Sequence, residues 1–193
     1  MLSKKDSNRA HGTSGVRIAI SGKSGCGNTT ATRLVGKKLD LRVINYTFHD
    51  MAKEMGVTFE EICELAEKDL KYDRHLDDTQ VGLAKEAGIV LGSRLAIWLI
   101  KDANLKVYLS ASPEVRAQRI ANREHANYEL TYDEMMKRDR RDRERYIRLY
   151  QIDNDDYYFA DLILDTDSLD QHHVTDRIVE EVNRRISSSD ATR

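Results

Sequence analysis

Two cysteines and one proline are all that this 193-residue chain holds of either residue, and each scarcity excludes something. Cys26 lies in a glycine-rich stretch and Cys63 in a predicted helix, so neither a disulfide framework nor a zinc-ligand cluster can be drawn, and both thiols are expected to stay reduced. No Pro/Gly/Ser-rich linker and no internal repeat divides the chain into domains. Long apolar runs are also missing. Nothing approaches the roughly 20 residues of a membrane span, and the N-terminus is polar rather than signal-like, so a cytoplasmic protein without a membrane partner is expected. Charge of one sign is absent too. Lys+Arg of 31 against Asp+Glu of 33 leaves a net charge of −2, which offers no general field for nucleic acid; any anion site must be local.

What is present centres on residues 16–30, VRIAISGKSGCGNTT. A β-branched apolar run breaks into Gly22, Gly25 and Gly27 and then into Asn28, Thr29 and Thr30, which reads as strand, loop and helix start. Glycines let backbone N–H groups turn around an anion, and the helix beginning near Asn28 aims its positive end at the same place. Against the phosphate-loop template G-x-x-x-x-G-K-[ST], Gly22, Gly27 and Thr29 match, with Thr29 offering the hydroxyl for Mg²⁺; Asn28 stands where the template has lysine. A tight strand-to-helix turn would show the same glycines. The alternation of strands and helices around it favours the phosphate loop.

Residues 1–14 are small and polar and are expected to form a disordered leader. After the loop, a helix from Thr30 to Leu39 and a strand over Leu41 to Tyr46 follow by apolar spacing. Residues 48–87 then change to three helical pieces, the second opened by Thr58 with Glu61 three residues on, a capping box. Forty helical residues exceed an ordinary crossover, so they read as an insertion within a single domain over 15–186. On its last helix Asp73, Asp77 and Gln80 share a face beside Arg74, either as a solvated surface or as a site. Gly88 to Gly92 is a wholly apolar strand, and Arg94 just past it sits where open α/β sheets bind ligands or on the surface of the next helix. Trp98, with apolar neighbours on all sides, is expected in the core. Leu105 to Leu109 is a fourth strand. Ser112 and Pro113 start a helix carrying Arg116, Arg119 and Arg123 on one stripe. Next, TYDEMMKRDRRDRERYIRLY places Arg138, Arg141, Arg145 and Arg148 on another, with acidic partners at three or four residues. Residues 160–165 form a fifth strand, Val174 to Ile186 a closing helix, and 187–193 a frayed, disordered tail.

With these pieces in order, the chain resembles the P-loop nucleoside monophosphate kinases, and most closely the archaeal-type cytidylate kinases, over roughly residues 16–186. The motifs that carry the likeness are the strand–glycine loop–TT start, YDRHLDDTQ with its D-R-x-x-D-x-x-Q pattern, Arg94-Leu95-Ala96-x-Trp98, PEVRAQRIANRE, the segment from Arg138 through Arg145 to Asp153, and ADLILDT. The resemblance implies an α/β three-layer sandwich: a five-stranded parallel sheet with helices on both faces, a helical monophosphate-binding insertion over 48–87 and an arginine-rich lid over 124–157. It implies ATP-dependent phosphorylation of CMP or dCMP, with ATP and Mg²⁺ required, no nucleic-acid partner, and a monomer or weak dimer.

By that likeness Gly22, Lys23, Ser24, Gly25, Cys26, Gly27, Asn28, Thr29 and Thr30 would hold the ATP phosphates, with Arg119 and Arg123 at the lid base facing ATP. Asp73, Arg74, Asp77 and Arg94 would bind the acceptor, and Arg138 and Arg145 would meet the moving phosphoryl group. Lys23, inside the same loop, is either a solvent-facing residue or, with the lid arginines, the replacement for the missing cation. Gly92 stands where many relatives carry an acidic residue, which removes a carboxylate from the Mg²⁺ shell. Two other readings use the same loop: a nucleotide-binding regulator that transfers poorly, and a kinase for shikimate, adenylate or another small acceptor.

Overall fold

The structure, a computed structural model, describes residues 15–190. The leader and the last three residues of the tail lie outside the described residues. Five parallel strands form one sheet: β1 (Arg17–Gly22), β2 (Arg42–Ile44), β3 (Ile89–Gly92), β4 (Leu105–Ser110) and β5 (Leu162–Asp165), in the spatial order β2-β3-β1-β4-β5. Their side chains divide by the two-residue period of a pleated strand. From β1, Ile18 and Ile20 enter one core while Ala19 enters the other; from β3, Val90 faces the first and Ile89 and Leu91 the second; from β4, Leu105, Val107 and Leu109 oppose Tyr108.

Helices α1 (Asn28–Leu39) and α8 (Gln171–Asp190) close the first core, with Val35, Leu39, Ile178 and Val182 buried there. The second core is covered by the short α5 (Ala96–Leu99) and by Ala84, at the end of the insertion. Trp98 packs against this core, edge-on to Tyr108 and Phe159, as the apolar run around it predicts. The insertion is α2 (Phe48–Met55), α3 (Phe59–Lys68) and α4 (Lys71–Leu83), built on a small core of its own around Met51, Ala52 and Ile62. Its expected capping box forms: Thr58 N–H donates to Glu61 Oε2 at 2.7 Å, and Glu61 N–H to Thr58 Oγ1 at 3.1 Å. Ser112 caps α6 (Pro113–Glu124). The arginine-rich stretch is one 23-residue helix, α7 (Tyr128–Tyr150), started by Asn127, whose Oδ1 accepts from Leu130 N–H.

One boundary differs from the sequence reading. Residues 187–190, expected to belong to a frayed tail, continue α8 to Asp190, and Ser187 and Ser188 return hydroxyl hydrogen bonds to the carbonyls of Asn183 and Arg184. No helix among the described residues is long and apolar enough to cross a membrane.

Topology places the site. The chain leaves central β1 toward one edge of the sheet and leaves β3 toward the other, so a crevice opens at the carboxyl ends of these two adjacent strands. Gly22 and Gly92 end them there.

Candidate functional site

A cleft of about 520 Å³ lies in that crevice, floored by the loop after β1 and walled by the inserted helices, α6 and α7. The loop is shaped by Gly25 and Gly27, at φ of 85° and 93°, a left-handed backbone that side chains with a Cβ rarely adopt. Gly27 precedes α1 without any side-chain cap, so the first turn of the helix carries no capping side chain that an anion would have to displace. Gly22, Lys23, Ser24, Gly25, Gly27, Asn28, Thr29 and Thr30 all line the cleft. Cys26 does not. Its thiol is buried, pushed up to about 11 by that burial, and lies against Gly22, so Cys26 serves the loop's packing rather than its ligand face.

Lys23 neither faces open solvent nor reaches across the loop. Its Nζ pairs at 2.5 Å with Asp155, beyond α7, and Asp155 also meets Arg143. Asn28 is likewise committed. Its Nδ2 donates to the Ser93 carbonyl at 3.2 Å, and Thr32 Oγ1 lies 2.9 Å from the Asn28 carbonyl and 3.2 Å from its Oδ1. The residue in the lysine position thus straps the start of α1 to the end of β3. Gly92 has a local cause in the same place: a Cβ there would collide with the Thr32 side chain, so no acidic side chain fits without moving α1.

Across the cleft, Arg94 donates from Nη2 to Ser24 Oγ at 2.7 Å and pairs through Nη1 with Asp142 of α7, also at 2.7 Å. The other oxygen of Asp142 meets Arg145 at 2.9 Å, and Arg145 lies 3.2 Å from Asp73 of α4. One buried carboxylate thus bridges two arginines that line the cleft. Further along, Tyr150 donates its hydroxyl to Asp77 at 2.8 Å. Burial pushes the Asp77 carboxyl up to about 7, against the pull of that hydrogen bond, and burial raises Asp73 as well, with Arg145 opposing. Gln80 completes the face, donating from Nε2 to the Tyr46 carbonyl at 2.7 Å.

Arg119 reaches the Gly25 carbonyl and the Thr166 hydroxyl, tying the loop to the turn after β5, and Arg123 lines the cleft from an exposed position. Two expected residues are not brought in. Arg74 is exposed beside Asp69, His75 and Asp78 on a separate depression, because it follows Asp73 by one residue and leaves the helix about 100° away. Arg138 is exposed on α7 and does not line the cleft.

Sequence reasoning missed Arg116 as part of the site's frame. It is buried, donates to the Ser24 carbonyl at 3.2 Å and pairs with Asp139 of α7 at 2.7 Å, so it holds loop and helix in register. Its stripe with Arg119 was visible; that its partner lies on α7 was not. Tyr46, just before the insertion, and Phe48, His49 and Phe59 within it also line the cleft, with the His49 and Phe59 rings stacked at 3.8 Å. The only signal for the last three was membership of an amphipathic helical block, and Tyr46 read as the end of a strand.

A strand-end glycine loop, a buried-carboxylate helix and an arginine helix facing one cleft agree with the comparisons to known proteins. A sequence profile described as the cytidylate kinase-like family matches residues 17–168. The chain belongs to that family. It is 43% identical over 174 residues to a protein named cytidylate kinase 2 from Borreliella afzelii (strain PKo), covering 88% of this chain and 98% of that one. It is 38% identical over 170 residues to a cytidylate kinase from Archaeoglobus fulgidus, covering 86% and 94%. Among solved structures, a shikimate kinase from Acinetobacter baumannii in complex with shikimate superposes with a TM-score of 0.61 at 17% identity, covering 89% of this chain and 95% of that one. A deoxyadenosine kinase from M. mycoides with bound dCTP gives 0.55 at 16%, covering 88% and 100%. These two likenesses establish the fold alone: the parallel sheet with helices on both faces that the sequence predicts.

Proposed function

We propose that this chain is a cytidylate kinase, a phosphotransferase that moves the γ-phosphoryl group of ATP to CMP and dCMP, giving CDP or dCDP and ADP. The observation that carries the reading is the convergence of the open helix start of α1 with Arg94 and Arg145 on one cleft, in a chain of this family. An oxygen of the acceptor phosphate attacks the γ-phosphorus in line, the bond to the departing ADP oxygen breaks, and no protein nucleophile takes part. The residues therefore position and neutralise. The loop over 22–30 cradles the ATP phosphates with backbone N–H groups, Cys26 contributing only its packing.

Arg94 takes the acceptor phosphate, exchanging the Asp142 carboxylate for a phosphate oxygen; Arg145 makes the corresponding exchange toward the moving group. A guanidinium suits both, since its planar fork meets two oxygens and keeps its charge. Lys23 lies within the loop on a flexible stem and, released from Asp155, is the nearest loop cation to replace the missing lysine. Arg138 contributes only if α7 turns toward the cleft, and Arg74 lies outside this assignment. Residues 48–87 act as the monophosphate-binding unit and 124–157 as the lid. Mg²⁺ fits as a cation carried in on the nucleotide: Thr29 offers an exposed hydroxyl at the cleft, and no cluster of acidic, histidine or cysteine side chains among the described residues forms a cage for it. When bound, it would neutralise charge on the ATP phosphates. The two free cysteines suit a reducing cytoplasm.

Mixing the protein with ATP, Mg²⁺ and CMP, dCMP, UMP, AMP or shikimate in turn and measuring ADP tests this. ADP release is expected with CMP and dCMP. Release with AMP or shikimate alone would replace the acceptor, and nucleotide binding without release would assign the regulator reading.

A further inference from the structure

We propose that Gln80 is the residue that distinguishes cytosine from uracil, its amide oxygen accepting a hydrogen bond from the 4-amino group of the acceptor base. The proposal rests on the cytidylate kinase reading above and names the feature of the base that this site recognises.

Gln80 is 2% exposed, sits on the inner face of α4 and lines the cleft. Its orientation is decided by chemistry. The partner at 2.7 Å is the Tyr46 carbonyl, which can only accept, so the amide nitrogen must lie on that side and the oxygen on the other. That oxygen is buried and has no donor among the described residues. Buried polar atoms in native proteins are almost always paired, so a buried acceptor on the wall of a binding cleft is an acceptor kept for a ligand's donor. Asp73 Oδ2, Ser93 Oγ and Arg145 Nε, also on cleft residues, lack a hydrogen-bond partner in the same way, while Arg17 Nε, Arg116 Nε and Asn154 Oδ1 are the other such atoms among the described residues, so the cleft holds the largest group of them.

The neighbouring carboxyls cannot make the same distinction. Asp77, one turn before Gln80, already accepts from Tyr150, and its carboxyl, able to accept and, when protonated, also to donate, can meet either base. Asp73 faces Arg145, so its charge is answered by a cation. The Gln80 oxygen is different because it cannot trade places with its nitrogen without breaking the bond to Tyr46. Cytosine supplies the donor it lacks. Uracil places a carbonyl oxygen there instead, setting two acceptors against each other, and such a mismatch excludes a substrate more strongly than a lost methyl contact does.

The test uses the full chain, with CMP, UMP and the monophosphate of pyrimidin-2-one riboside, which is CMP with hydrogen in place of the amino group. The wild-type protein is expected to favour CMP over both others by at least about tenfold in kcat/KM. In Gln80→Leu the preference for CMP over the pyrimidinone is expected to fall to within about threefold, with the ATP KM unchanged; Gln80→Met, closer in shape, replaces it if leucine impairs folding. Equal use of CMP and the pyrimidinone by the wild-type protein would overturn the proposal, leaving the kinase reading intact. So would variants that lose activity on all three by one common factor, since that is what a merely structural glutamine would give. Transfer to none of the three would overturn the kinase reading itself and the proposal with it.

Discussion

Asn28 shows how a single side chain can be spent before any ligand arrives. Both of its polar ends are engaged, the nitrogen with the Ser93 carbonyl and the oxygen near Thr32, so its structural work is to pin α1 to β3 directly beneath the phosphate cradle. Asn28→Asp keeps the acceptor but loses the donor and adds a negative charge to an anion site. The ATP KM is expected to rise at least about tenfold, roughly 1.4 kcal/mol, and unchanged steady-state kinetics would show that the side chain does not face the phosphates. Asp77 makes a second prediction at this scale. Its carboxyl is raised from an ordinary value of 3.8 to about 7 by burial, so below pH 7 the folded protein holds a proton that the unfolded chain has released from about pH 4 upward. Unfolding then releases a proton, and this group's contribution to stability falls as pH rises from about 4 to about 7. Asp77→Asn, which can still accept from Tyr150, removes that loss. Thermal unfolding at pH 5.5 and 8 is expected to show the wild-type protein losing more Tm between the two than the variant; equal losses would mean a carboxyl ionised throughout.

At the scale of elements, α7 is the piece whose behaviour its composition misstates. Its arginines suggest a segment that repels itself until phosphates bind, yet the structure answers three of the six with carboxylates: Arg141 with Glu67, Arg143 with Asp153, Arg145 with Asp142 and Asp73. Three further contacts tie the helix to its surroundings, Arg116–Asp139, Arg94–Asp142 and Tyr150–Asp77. Asp142 is central, since it occupies the fork of Arg94 that the acceptor phosphate would take in the proposed reaction. Asp142→Asn is expected to speed amide hydrogen exchange across α7 in the nucleotide-free protein by at least about tenfold, because two half-buried arginines lose this counter-charge. Exchange unchanged in the variant would assign the hold on α7 to the Arg116 and Tyr150 contacts.

For the molecule as a whole, the cleft is shared by the sheet, the inserted helices and α7, so a ligand that fills it joins parts with few direct contacts. Saturation with ATP or CMP at about 100 times its dissociation constant is expected to add about 2.7 kcal/mol, raising Tm by roughly 5–10 °C for a chain of this length, and the two together more. A bisubstrate analogue should do at least as much. No shift in differential scanning calorimetry with either would contradict the site.

How much of this was open to sequence reasoning follows from the range of the interactions. The order of strands and helices, the glycine loop at the end of β1, the caps at Thr58 and Ser112 and the inserted helical block were legible, because hydrophobic period, backbone freedom and capping act within a few residues of chain. The family motifs carried the same reading as far as the arginines. Tertiary structure alone decided which of those arginines reach the cleft: Arg145 and Arg94 do, while Arg74 and Arg138, equally basic and equally close to the motifs, do not. It also decided that Asn28 is a strap, that Gly92 makes room for Thr32, that Cys26 faces inward, and that the oxygen of Gln80 is left without a donor. The physical reason is common to all four. Each depends on a partner 34 to 65 residues away or on another element's surface, and on the rotation of a side chain about its helix or strand, which local spacing leaves open until the elements pack.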